Sequence, residues 1–235
     1  MAGYTHMASA AGKPYTGSTL AQLQAISPLK GDMGYPSDSR YALACRVAGT
    51  WIYILHGVQV TPPVTSGWVD ENSATSAAVG GELVATWPAA SGTSPWRGIS
   101  RLLPSAPYDI IVGMEWTGTP GQIGAGLKLA SSDQFIATTS VGDGGLNHQK
   151  FTNFTTFSAN YFTVALAAPL GVYWFRFVDD SADRVTYISK NRVDWIQIHT
   201  VGRTDFITAD ELFVCGYPNN ATFGLLVHIF DYEEQ

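Results

Sequence analysis

Charge is scarce in this sequence. Asp, Glu, Lys and Arg make up 14% of its 235 residues, against about 25% in an average soluble domain. Nineteen acidic and thirteen basic residues leave a formal charge of −6, and no two Lys or Arg are adjacent. Nucleic acid is recognised by a basic stripe that displaces phosphate counterions, so it is not an expected partner. An anionic membrane surface is disfavoured for the same reason. Long apolar runs are missing too. The longest, Phe162 to Phe177, is broken by Thr163, Pro169, Gly171 and Arg176, so no membrane-spanning helix is expected. Met1 to Gly12 lacks a basic stretch leading into an apolar one, and secretory export is not expected. The sequons Asn153-Phe154-Thr155 and Asn220-Ala221-Thr222 are then chance matches.

Cysteine is nearly absent. Cys45 and Cys215 are the two present, with no CxxC, which excludes a structural zinc knuckle or a thioredoxin-like pair. Two buried thiols or one disulfide remain open. There is no GxSxG, Walker loop, GxGxxG or HExxH. The five histidines (6, 56, 148, 199 and 228) show no metal-ligand spacing. No cofactor is expected.

What is present in quantity is apolar and small. Hydrophobic residues reach 46%, aromatics 12%, and there are 24 glycines. That composition excludes disorder and suits many short strands joined by tight turns. Residues 1–17 read as a flexible arm. Thr19 and Gln22 form a capping box that opens a short helix, with Leu20 and Leu23 on its apolar face and Pro28 beyond its end. Three short strands follow before residue 60, making a helix-plus-meander module over 18–60. Thr61 to Gly67, with two prolines, reads as a linker. From Trp68 to Gln235, strand-like runs recur at sandwich spacing. Within Tyr108–Thr117, positions 108, 110, 112, 114 and 116 are apolar, whereas Asp109, Gly113 and Glu115 mark a wet face. The fold class is all-β: an antiparallel β-sandwich preceded by a small helix and a short β-meander. A helical turn is conceivable only at Thr208 to Glu211.

Two stretches carry a resemblance. Tyr173-Trp174-Phe175-Arg176-Phe177-Val178-Asp179-Asp180, Arg184 to Ser189, and Val193-Asp194-Trp195-Ile196-Gln197-Ile198-His199 together resemble the concanavalin-like jelly roll of laminin-G-like modules and glycosidase-appended domains. Gly31 to Leu43, followed by Gly49-Thr50-Trp51-Ile52-Tyr53, is similar to small modules of bacteriophage tail fibres, tailspikes and capsid fibres. The resemblance implies a phage virion component, exposed on the particle surface and usually a homotrimer. It would bind other virion proteins or host-surface glycans. The alternatives are a carbohydrate-binding module of a cellular protein, or a jelly-roll polysaccharide lyase or glycosidase. Catalysis is not expected. Jelly-roll glucanases alternate acids along one strand so that nucleophile and acid lie close together, and Glu115, the one suitably placed strand glutamate, has Gly113 and Thr117 beside it.

Binding residues are sought among the seven tryptophans, because an indole face stacks on a sugar ring while polar neighbours fix its hydroxyls. Trp174 with Arg176, and Trp195 with Gln197 and His199, have that mixed character. They are the expected glycan-groove residues, although core packing is the commoner fate of a tryptophan. Asp179, Asp180 and Asp183 form the densest acid cluster. It reads as a hairpin turn with local Asp-to-backbone bonds, or alternatively as a calcium loop. His148 beside Tyr161 or Arg176 is the one conceivable lyase base.

Overall fold

Period-2 alternation of apolar side chains builds nearly the whole molecule from strands. The computed structural model describes residues 14–16, 20–25, 33–35, 41–47, 50–90, 95–141, 145–164, 173–219, 222 and 224–235. The first elements are β1 (Pro14–Thr16), α1 (Leu20–Gln24), β2 (Met33–Tyr35), β3 (Ala42–Val47), β4 (Thr50–Leu55) and β5 (Val58–Val60). They are followed by β6 (Trp68–Glu71), β7 (Thr75–Val79), β8 (Glu82–Trp87), β9 (Arg97–Leu102), β10 (Tyr108–Thr117), β11 (Pro120–Leu129) and β12 (Gln134–Val141). The rest are β13 (Leu146–Asn153), β14 (Thr156–Val164), β15 (Tyr173–Asp179), β16 (Asp183–Ser189), β17 (Ile196–Gly202), β18 (Glu211–Pro218) and β19 (Leu225–Glu234).

These strands make three sheets. An N-terminal sheet runs β1-β2-β3-β4-β5, parallel at β1–β2 and antiparallel elsewhere. A back sheet runs β17-β16-β15-β10-β19-β8-β7 and a front sheet β14-β13-β12-β11-β18-β9-β6. The back and front sheets are antiparallel throughout and stack as a jelly-roll sandwich. Their shared core brings Ile110, Val112, Met114, Phe175 and Val227 of the back sheet against Ile123, Ala125, Leu212 and Val214 of the front sheet. Contiguous burial of this kind is the main stabilising term of such a fold.

The other face of β10 is not wet as the alternation suggested. Ile111 packs with Trp174 and Phe230 under Tyr41, Leu55 and Val60 of the N-terminal sheet. The Tyr41 hydroxyl donates to the Phe230 carbonyl at 2.6 Å, in a buried position. The segment expected to be a linker is tied down as well. The Thr61 amide donates to Asp231 Oδ1 at 2.7 Å, and its carbonyl accepts from Tyr232 N at 2.8 Å. Tyr41→Phe removes a bond across this contact without opening a cavity. It is expected to cost about 1 kcal/mol, read as a lower urea midpoint at unchanged slope.

Several boundaries differ from the sequence reading. The meander has five strands rather than three, because residues 14–16 of the expected arm and β5 join it. Helix α1 forms with Leu23 buried, while Thr19 of the capping box lies outside the described residues. The strand-like runs Thr155–Phe157 and Tyr161–Leu166, separate in the sequence, meet in one strand, β14, and no helical turn occurs at 208–211. Strands β6, β7 and β13 were not anticipated.

Candidate functional site

The outward face of the front sheet is where the molecule opens a cleft. Alternation aims Ile123, Ala125 and Leu127 of β11 into the core, so Gln122, Gly124, Gly126 and Lys128 face outward. A Cβ at Gly98, Gly124 or Gly126 would lie 2.2, 2.0 and 1.9 Å from the carbonyl oxygens of Val214, Thr138 and Ile136. Only glycine fits so close a backbone approach. Those three positions let neighbouring strands approach closely on this face.

A cleft of about 180 Å³ lies on this face between Trp96, Gln122, Gln149, Phe151, Thr155, Phe157 and Tyr217. Its aromatic wall is mutually packed, with ring centroids of Trp96 4.6 Å from Phe151 and 5.3 Å from Tyr217. Phe157 is 51% exposed and offers an open ring. The polar wall is made of amides. Gln149 Nε2 donates to Asn160 Oδ1 at 2.9 Å, and the Thr139 hydroxyl donates to Gln122 Oε1 at 3.0 Å. Gln149 Oε1 is buried without a donor, as is Asn147 Oδ1 two positions earlier on β13. A buried acceptor left unpaired costs about 1–3 kcal/mol. The lining carries no carboxylate, lysine or arginine, and burial pushes the Tyr217 hydroxyl further toward its neutral form.

Two acids meet farther along the same face. Lys128 Nζ lies 2.8 Å from Glu71 Oε1 and 2.7 Å from Glu211 Oε2, and the Ser100 hydroxyl also donates to Glu71. The sequence reading found no such pair, because Glu71 is on β6 and Glu211 on β18. Burial works against the Lys128 ammonium, but hydrogen bonds to Glu211 and Glu71 overcome it and leave its pKa above the ordinary value. A glycosidase needs one of its two carboxyls protonated to act as acid. Here both carboxylates are engaged by one ammonium.

The tryptophans singled out from sequence lie elsewhere. Trp174 is 1% exposed, covered by the N-terminal sheet, and its indole N–H donates to Asp231 Oδ2 at 2.8 Å. It has no face open to a sugar. Arg176 does share its strand face, where it grips Asp109 and lies over the Tyr187 and Trp195 rings. Trp195 is half-buried against the cluster that holds Trp174. Gln197 is exposed and donates to Thr200 Oγ1 at 2.9 Å. His199 parts from Gln197: a register shift pairs Thr186 with His199 but Tyr187 with Gln197, so alternation breaks at Ile198. His199 turns inward, its ring 4.9 Å from His148 and 4.3 Å from Tyr161. These residues therefore belong to the back sheet, away from the cleft.

The acid cluster is a hairpin turn between β15 and β16. Asp180 Oδ1 accepts the Ala182 and Asp183 amides at 2.9 and 2.7 Å, and those bonds lower its pKa. Asp179 accepts the Ser181 amide at 2.8 Å and Arg203 Nε at 3.0 Å. Among the described residues no three potential ligands gather as a metal site. His148, the conceivable lyase base, lies inside the sandwich, hydrogen-bonded to Thr138 Oγ1 at 2.7 Å. Cys215 is a buried free thiol.

No family model and no curated protein matches this chain. Solved structures do share its fold. A functionally unknown protein from Saccharomyces cerevisiae superposes with a TM-score of 0.50 at 11% identity, over 72% of this chain and 94% of its own. A β-glucanase of Bacillus licheniformis reaches 0.49 at 12% identity, over 73% and 93%. The CBM2 module of the evolved Dit of Lactobacillus casei BL23 phage J-1 reaches 0.45 at 11% identity, over 73% and 91%. At such identities the likeness is one of fold alone.

Proposed function

We propose that this chain is a glycan-binding adhesion protein that takes a neutral oligosaccharide in its front-sheet cleft. The observation that carries the reading is the buried, donor-less amide oxygen of Gln149 in the cleft that holds the exposed Phe157 ring, with a second such oxygen, on Asn147, two positions along β13. Sugar hydroxyls would satisfy the oxygens, and a pyranose C–H face would cover Phe157. An uncharged lining favours a neutral sugar over a uronate, whose carboxylate would find no cation there. The setting we propose is a bacteriophage virion, on the resemblance of Gly31 to Tyr53 to fibre modules. Assembly as a homotrimer and contact with other virion proteins belong to the same proposal. A carbohydrate-binding module of a cellular protein would use the same cleft.

Binding is tested on an array of neutral and acidic glycans, followed by calorimetry on the tightest hit. Phe157→Ala and Gln149→Ala are each expected to weaken it about tenfold, the scale of one stacking or hydrogen-bond contact. Silence of the whole array would sink the reading. We propose binding without turnover, since Glu71 and Glu211 both pair with Lys128 and neither lines the cleft. Reducing ends released from a polysaccharide panel overnight would overturn that part.

A further inference from the structure

One end of the sandwich interior holds more hydrogen-bond donors than acceptors. Arg184, on β16, is 4% exposed. Its Nη2 donates to the Asp205 carbonyl at 2.6 Å, but Nε and Nη1 are buried with no acceptor. No carboxylate pairs with it among the described residues, because the two nearby acids are taken. Asp205 Oδ2 accepts from Lys150 Nζ at 2.9 Å and from the Tyr161 hydroxyl, and Asp179 accepts from Arg203 and Ser181. The local count is three cations, Lys150, Arg184 and Arg203, against two carboxylates. Tyr108 OH and His199 Nε2 are also buried and unpartnered in this region.

Arg184 lines a cavity of about 10 Å³ whose other walls are Leu127, Ile136, Phe177 and Val201, with His148 and Thr186. That leaves room for the centre of one small guest, a water molecule or a monatomic ion. An oxyanion or a carboxylate does not fit. A guest must accept from the guanidinium, and an anion balances the third cation of this group where a neutral guest does not. We infer that this cavity is a binding site for a single monatomic halide, held by the free Nε–H and Nη1–H of Arg184. The site is separate from the cleft and does not depend on the glycan reading.

The probe is halide itself, applied to the full chain. Melting temperature is followed in sodium chloride, sodium bromide and sodium gluconate at matched ionic strength. Chloride and bromide are expected to raise it by about 5 °C or more over gluconate with saturation, the shift given by a ligand at about a hundredfold its Kd on a chain of this size. Arg184→Met should lose the halide increment. Crystals grown in bromide should show an anomalous peak within about 3.5 Å of the Arg184 guanidinium. Equal melting temperatures in the three salts, or an unchanged increment in Arg184→Met, would overturn the inference. Should that variant not fold, the bromide crystal decides alone: a water without anomalous signal in the cavity rejects the site.

Discussion

Asp231→Ala is expected to destabilise the protein by about 3–5 kcal/mol, the cost of breaking a buried charge pair from one side. Asp231 is fully buried on β19 and gathers donors from three parts of the chain. Trp174 Nε1 reaches its Oδ2 at 2.8 Å, the Thr61 amide its Oδ1 at 2.7 Å, and Arg192 pairs with it while also holding Glu233. Alanine would leave an indole N–H and a backbone amide without an acceptor, and would leave the Arg192 guanidinium with Glu233 alone. Gly113 sits opposite on β10, where a Cβ would lie 2.8 Å from Asp231 Cβ, so no larger neighbour can move in. A loss of that size corresponds to a fall in melting temperature of about 6–20 °C. Calorimetry of the variant reads it directly. A change below about 1 kcal/mol would mean that these donors find water instead.

Acidification should unfold the protein in a window set by His148. Burial lowers its pKa to about 3, with His199, Arg184 and Lys150 adding repulsion. A depressed folded-state pKa means that the unfolded chain takes up the proton first, near an ordinary value of about 6.5. The stability it contributes is therefore complete above about pH 6.5 and drains away as the pH falls toward 3. The slope is about 1.4 kcal/mol per pH unit, or about 4 kcal/mol by pH 3.5. Burial lowers the pKa of His199 as well, in the same direction. His148→Gln keeps a polar group on Thr138 and removes the titration. Urea midpoints across this range should fall less steeply in the variant, and parallel curves would refute the assignment.

Much of the sandwich was legible because its strands carry one apolar face each. Tyr108–Thr117 reads from the sequence with both ends placed, and the runs Gln134–Thr139 and Tyr173–Val178, strand-like by the same alternation, begin where β12 and β15 begin. Strand β13 was not legible, and the reason is physical. Its inward side chains mix apolar Leu146 with His148 and Lys150, which make polar contacts, and its outward ones, Asn147, Gln149 and Phe151, line or flank the cleft. Polar groups on both faces erase the alternation that announces a strand. The cleft was hidden with it, since its lining comes from β11, β13, β14 and β18 and shares no local spacing. Trp174 failed for a different reason. Alternation correctly puts it on one face with Arg176, but no local pattern tells that residues 41–60 fold back over that face. Glu71 and Glu211 likewise meet only through the pairing of β6 and β18 with β9.

The order of the back sheet bears on how the molecule is made. Strand β19 lies between β10 and β8, pairing with β10 along most of its length and with β8 over its first half. During synthesis β8 and β10 emerge long before it and cannot hydrogen-bond to each other in its place. Until residues 225–234 clear the ribosome, the nascent sheet exists as two halves with bare inner edges. Such edges invite pairing with neighbouring chains. Premature release before β19 has been made would therefore leave an aggregation-prone product.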